Sequence, residues 1–269
     1  STAIINVSNL DGSNGFRLDG EANSFSGSSV NSLGDINGDG FGDVAVGAYD
    51  ANGLGASSYV VFGQAAGFNA SRDLSSLDGH DGFRVHGMTT YDRSSISINA
   101  AGDINGDGAE DMIVEDSGFS SVYEHAIHSY VVFGKTSGFD ATMNLSSLDG
   151  NDGFLIKDEG SKYWDFSSSG VGDINGDGFD DVIVQTTYLD QNNHVVGSGH
   201  VVFGHAGGFD ATIDLSTLDG ESGFRLMDLQ NPGELTVTGS SDINGDGLDD
   251  LLVTNDSTYD IPLAVVGVK

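Results

Sequence analysis

The sequence predicts an all-β fold, a β-propeller of four four-stranded blades, and three observations predict it. The string Asp-Ile-Asn-Gly-Asp-Gly begins at Asp35, Asp103, Asp173 and Asp242, a repeat of about 69 residues. A second landmark, Leu-Asp-Gly followed by Gly-Phe, begins at Leu10, Leu77, Leu148 and Leu218. Between these landmarks each unit holds four short stretches rich in Val, Ile and Phe, bounded by Gly, Asp, Asn or Ser. No helical period survives beyond a turn or two. A unit of four short strands has too little surface to bury its own faces, so such units are expected to stack radially on one another.

In the first unit the strand-like stretches are Gly15 to Leu18, Ser28 to Gly34, Asp43 to Val46 and Tyr59 to Phe62. A third landmark, Tyr/His-Val-Val-Phe-Gly, ends at Gly63, Gly134 and Gly204 and degenerates to Leu263-Ala264-Val265-Val266-Gly267 in the fourth unit. Lettered A to D from the axis outward, the strands place blades at roughly 28–87, 94–157 and 167–228, with a fourth at 236–267 that lacks strand D. The stretch within residues 1–20 is expected to supply that strand, which would close a single domain of residues 1–269 and remove the free sheet edges. The same pairing made between two chains would give an eight-bladed ring, so monomer and homodimer both stay open.

Composition narrows the function classes. The chain has 269 residues, 41 glycines and 2 prolines, and a net charge of −32 from 41 acids against 9 bases. Such a charge repels nucleic acid and anionic membrane surfaces. There is no cysteine, so a disulfide framework is excluded and bound metal ions are the expected staple. No run of 18 apolar residues is present, so no membrane-spanning helix is expected. Ser1 to Ile5 lack the charged region and apolar segment of a signal peptide.

The four acidic loops run over 35–43, 103–111, 173–181 and 242–250. Positions one, three and five carry side-chain oxygens: Asp35, Asn37 and Asp39; Asp103, Asn105 and Asp107; Asp173, Asn175 and Asp177; Asp242, Asn244 and Asp246. Position six is always glycine (Gly40, Gly108, Gly178, Gly247), as a sharp turn with positive φ requires. Position seven varies freely among Phe41, Ala109, Phe179 and Leu248, as expected if only its carbonyl is used. Position nine is always aspartate: Asp43, Asp111, Asp181 and Asp250. Hard oxygen donors at this density suit calcium, one ion per repeat, better than magnesium, which keeps more of its water. An EF-hand begins the same way but needs glutamate at position twelve. Here that position is Val46, Val114, Val184 or Val253, so the ninth-position aspartate is expected to close the site. Without metal the loops would be Asx turns with crowded carboxylates.

The loop sequence followed by a Val-rich strand resembles the FG-GAP repeat of integrin α-chain propellers and of integrin-like repeats in secreted bacterial proteins. The resemblance runs through all four repeats and implies a calcium-binding propeller, secreted or at the cell surface. The flanks depart from the family: only the first repeat keeps Gly47-Ala48, where the others have Glu115-Asp116, Gln185-Thr186 and Thr254-Asn255. Four blades also depart from the seven of integrin chains.

Strand alternation puts the calcium loops and the near-verbatim C–D connections on one face. The opposite face carries the divergent B–C loops, roughly 47–58, 115–129, 185–199 and 254–262, and D–A loops, roughly 19–27, 87–93, 158–166 and 228–235. Repeats that agree on scaffold and diverge on one face suggest recognition there. Candidate ligand-binding residues are Tyr91, Arg93, Tyr163, Trp164 and Tyr188, with Trp164 the lone tryptophan. Aromatics with a few polar groups suit a carbohydrate or an extracellular protein. His125 and His128 sit three apart with no third ligand set by spacing, and no nucleophile elbow, phosphate loop or HExxH motif occurs. The expected function is a calcium-stabilised adhesion or binding module. The alternatives are a polysaccharide-degrading enzyme on the same scaffold, with Tyr, His and Arg available for proton transfer, and a purely structural module of a surface protein.

Overall fold

The computed structural model describes residues 6–22, 24–48, 57–87, 95–119, 125–157, 163–189, 194–227, 234–256 and 263–266. The chain enters through β1 (Arg17–Asp19) and then builds a first sheet from β2 (Val30–Gly34), β3 (Asp43–Ala48) and β4 (Ser57–Val61). A connecting strand β5 (Ser71–Asp73) follows, and β6 (Gly82–His86) returns as the fourth strand of that sheet. The second unit repeats the order with β7 (Ser95–Gly102), β8 (Asp111–Phe119), β9 (His125–Val132), connecting strand β10 (Thr142–Asn144) and β11 (Gly153–Lys157). The third has β12 (Tyr163–Gly172), β13 (Asp181–Leu189), β14 (Val195–Val202), connecting strand β15 (Thr212–Asp214) and β16 (Gly223–Met227). The fourth shows β17 (Glu234–Ser240), β18 (Asp250–Asp256) and β19 (Leu263–Val266). Apart from the connecting strands, neighbours within each sheet are antiparallel. The described chain is therefore all-β and propeller-like, four sheets of the expected strand order.

The apolar runs are continuous because inner sheets are covered on both faces. Along β8, Met112 and Val114 face the core shared with the first sheet, where Leu33, Val60 and Phe83 lie. Ile113 between them faces the core shared with the third sheet, beside Val182 and Val184. On β13 the pattern recurs, with Ile183 turned toward Val237 and Leu251 of the fourth sheet. Burying a side chain of this size is worth about 1.5–3 kcal/mol, so these alternating contacts bind each sheet to the next.

Three expectations change. First, the N-terminal strand does not complete the fourth sheet among the described residues. β1 pairs in parallel with β5, the fourth sheet has the order β17-β18-β19, and no sheet closes on itself. Second, the divergent loops contract: strands occupy 115–119, 125–129, 163–166, 185–189 and 195–199. The apolar pattern stops at Val114 and Val184, yet the strands continue because buried polar groups find partners. Asp116, Ser129, Ser168 and Thr186 are all buried. Third, each C–D connection contains a three-residue strand laid parallel on the D-type strand before it: β5 on β1, β10 on β6 and β15 on β11. A one-turn 3₁₀ helix follows each, at Leu74–Ser76, Leu145–Ser147 and Leu215–Thr217.

Candidate metal centre and loop face

Each acidic loop joins the first two strands of its sheet. Asp35 accepts from the N–H groups of Asp39 (3.0 Å) and Gly40 (2.7 Å), one on each carboxylate oxygen. Asn37 Oδ1 also accepts from Asp39 N–H at 2.9 Å, and Asp39 accepts from Phe41 N–H at 2.9 Å. The pattern recurs around Asp103, Asn105 and Asp107 and around Asp173, Asn175 and Asp177. In the fourth loop Asp242 and Asp246 keep it. Two glycines per loop hold positive φ, for example Gly106 at 72° and Gly108 at 89°. Position six was expected to need that freedom; position four was not.

The ninth-position aspartates are fully buried. Asp111 accepts from Ile104 N–H at 2.9 Å on one oxygen and from Gly134 N–H at 2.8 Å on the other. Asp43 is held in the same way by Ile36 and Gly63, and Asp181 by Ile174 and Gly204. The side chain thus ties the loop to the end of the third strand. Asp250 accepts from Ile243 N–H and from Asn244. Burial pushes the Asp43 carboxyl up to about 6, Asp181 to about 7 and Asp111 to about 8. Their backbone donors oppose this, while the loop's own acids, Asp103 and Asp107 in the case of Asp111, reinforce it.

The four loops are joined in series along one face. The N–H of Glu110 donates to Asp35 O at 3.0 Å, Asp180 to Asp103 O and Asp249 to Asp173 O, both at 3.2 Å. Lys135 N–H donates to Ile36 O and His205 N–H to Ile104 O, so the C–D connections share that face, as strand alternation requires. Glu110 and Asp180 are raised first by burial, with acids of their own and of adjoining loops adding to it.

The donor chemistry fits a hard divalent cation: every loop offers carboxylate, amide and backbone oxygens and nothing softer. A bound ion would also offset the repulsion and burial that raise Asp43, Asp111 and Asp181. Among the described residues no three acids or histidines are gathered closely enough to hold an ion as they stand. Instead, in the first three loops, the side-chain oxygens of positions one, three and five accept N–H groups of their own loop, while the ninth-position aspartates take one N–H from the loop and one from the end of the third strand.

On the opposite face, Tyr163 and Tyr188 are direct cross-strand partners of β12 and β13. Trp164 lies between them and the next pair, at a register shift between Tyr163 and Asp165. Tyr188 is half-buried. It stands seven residues along β13 from Asp181, roughly 23 Å away at strand rise. Tyr91 and Arg93 lie outside the described residues. His125 and His128 share β9, with His128 opposite Asp116.

Sequence reasoning missed a set of ties between sheets. Glu115 accepts from Ser97 Oγ at 2.9 Å and from both the N–H and the Oγ of Ser168 on the neighbouring sheet. At the matching place in the next repeat, Gln185 Oε1 accepts from Val237 N–H at 2.5 Å. The signal was present as the polar pairs Glu115-Asp116 and Gln185-Thr186, which read as departures from a family flank.

Among protein families, the FG-GAP repeat matches residues 26–61 and 166–202. No curated protein matches the chain. Each matched stretch spans the first three strands of a sheet and the acidic loop between the first two. The two unmatched units carry the same acidic loop followed by antiparallel strands, and the chain contains FG-GAP repeats at residues 26–61 and 166–202.

Proposed function

We propose that this chain is a calcium-stabilised binding module of a secreted or surface protein, its four sheets the blades of a propeller. The observation that carries the reading is the fourfold loop whose ninth-position aspartate is buried, at Asp43, Asp111 and Asp181 with two further acids of the loop acting on it. A buried carboxylate crowded by like charges is costly unless a cation accompanies it. Calcium, when bound, supplies that positive charge. Asp35, Asn37, Asp39, the carbonyl of Phe41 and Asp43 would hold it in the first loop, and the matching residues in the other three. The loops are bonded in series, so their ordering would stiffen the whole array. Recognition of a carbohydrate or an extracellular protein belongs to the other face, where Tyr163 and Tyr188 face each other across two strands.

Calorimetric titration of chelator-stripped protein with calcium chloride tests the first half. Saturable uptake approaching one ion per loop is expected, with a rise in melting temperature. At 100 times the dissociation constant each site adds about 2.7 kcal/mol. A melting curve indifferent to chelator overturns the reading. For the second half, glycan and matrix-protein arrays are probed with the parent chain and with Tyr188→Ala. Capture lost in the variant at unchanged melting temperature supports the face, and equal capture by both removes it.

A further inference from the structure

The first and fourth sheets expose the two halves of a contact that the interior of the stack makes three times. Ile36, Ile104 and Ile174, the second residues of the first three acidic loops, are fully buried in clusters shared with the following sheet. Their counterpart in the fourth loop, Ile243, is 54% exposed. Five residues before each loop, Ile98, Ser168 and Val237 are buried against the preceding sheet, Ile98 in one cluster with Ile36. Val30, at the same place in the first sheet, is 64% exposed.

The loops repeat the pattern. Position eight is Glu110, Asp180 or Asp249 in the last three loops. Each lies over the glycine that precedes the loop before it, so that a Cβ at Gly34, Gly102 or Gly172 would run into the acid. Position eight of the first loop is Gly42, and the residue before the fourth loop is Ser241. At position seven, Phe179 and Leu248 cover Gly106 and Gly176 of the preceding loop; Thr136 covers Gly38. Phe41 is 40% exposed, and among the described residues nothing stands over Gly245.

We infer that the outer face of the fourth sheet docks on the outer face of the first sheet of a second copy of this chain, and that two copies close head to tail into one ring of eight sheets. Ile243 of one copy meets Val30 of the other, Phe41 covers Gly245, and Gly42 faces Ser241. The last pair selects the occupant. A unit with an acid at position eight, as the other three have, would drive its carboxylate into the Ser241 side chain, and the first sheet, with Gly42, does not. The four acidic loops of the sequence are all described, so no further unit in it covers Ile243 or Val30. The two faces do not meet within one chain, since both residues are more than half exposed.

β1 already marks the docking position. Its Leu18 packs on Val46, Tyr59 and Val61 of the first sheet, as Val85 of β6 packs with Val114 and Tyr130 of the second. It sits where the outer strand of a preceding sheet sits, and docking brings β17, β18 and β19 of the second copy beside it. Such head-to-tail contacts make a ring when the rotation closes, and propellers typically have roughly four to eight blades. The inference rests on the stacking of the sheets and stands apart from calcium binding.

Sedimentation velocity of the whole chain in calcium chloride, over a range of concentrations, reads the pairing directly. A two-copy species is expected. Val30→Asp and Ile243→Asp should each weaken it at least about tenfold. A mixture of these two variants should regain a two-copy species, because the intact Ile243 face of one fits the intact Val30 face of the other. Gly42→Asp should weaken pairing as well, and adding Ser241→Gly should restore it. A side chain at Gly42 meets nothing within its own chain, so this variant reports on the joint and not on folding. A chain that stays single at every concentration, or an open series of larger species, overturns the inference. So does pairing lost in only one of Val30→Asp and Ile243→Asp, or left unchanged by Gly42→Asp.

Discussion

The amide N–H of Gly134 donates to a carboxylate oxygen of Asp111 at 2.8 Å, joining the end of β9 to the acidic loop between β7 and β8 of the same sheet. The other oxygen takes Ile104 N–H. One buried side chain therefore satisfies two backbone donors that have no strand partner. Replacing Asp111 by alanine should destabilise the calcium-free protein by about 2–4 kcal/mol, because two buried N–H groups lose their acceptors. Urea unfolding in chelator measures it. A loss below about 0.5 kcal/mol would show that these donors find other partners.

The ties between sheets make a second prediction. Glu115 receives three donors and Gln185 reaches a backbone N–H of the adjoining sheet. Glu115→Ala and Gln185→Ala should each cost about 1–3 kcal/mol. The two act at different sheet boundaries, so the double variant should be close to additive. Hydrogen exchange should show the loss at Ser168 for the first variant and at Val237 for the second.

The two loop glycines should differ in their tolerance of alanine. Gly108 has φ of 89° and open space where a Cβ would sit, so Gly108→Ala should cost about 1–2 kcal/mol from backbone strain alone. Gly106 has φ of 72°, and a Cβ there would run into the Phe179 ring of the next loop. Gly106→Ala should therefore cost more than Gly108→Ala, and thermal melts of the pair give the order directly.

The 3₁₀ turns carry a pH dependence. The Asp73 and Asp214 carboxyls are held below the usual aspartate range, first by the hydroxyls of Ser75 and Ser216 and then by the N–H groups of the same residues. A lowered folded-state value means that the caps contribute at neutral pH. That contribution is present above 3.8, the ordinary value, and is lost as pH falls through the folded-state value. Carboxyl NMR titration should place both groups below 3.8, with the Ser75 and Ser216 amide shifts moving in the same range. Asn144, at the third such turn, makes no side-chain cap bond, so the Ser146 amide should not move there.

What the residues disclosed and what they did not divides along physical lines. Val182, Ile183 and Val184 announce a strand buried on both faces, and the structure sends them alternately into two cores. The fixed Asp-Ile-Asn-Gly-Asp-Gly string announces a tight acidic loop, because few residue types accept positive φ or supply oxygens at that spacing. Polar strand extensions gave no such signal. Glu115 and Gln185 look like loop residues until a neighbouring sheet supplies their partners.

The sequence by itself determined the repeat, the strand order within each sheet and the chemistry of the four loops, since all of these follow from patterns local to one unit. Only the tertiary structure decided which strand lies beside which across units. β1 lies with β5, the loops are bonded in series, and Glu115 reaches Ser168. The first two depend on main-chain donors and acceptors that every residue carries, and the third on a partner in another repeat, so no pattern local to one unit could have announced them.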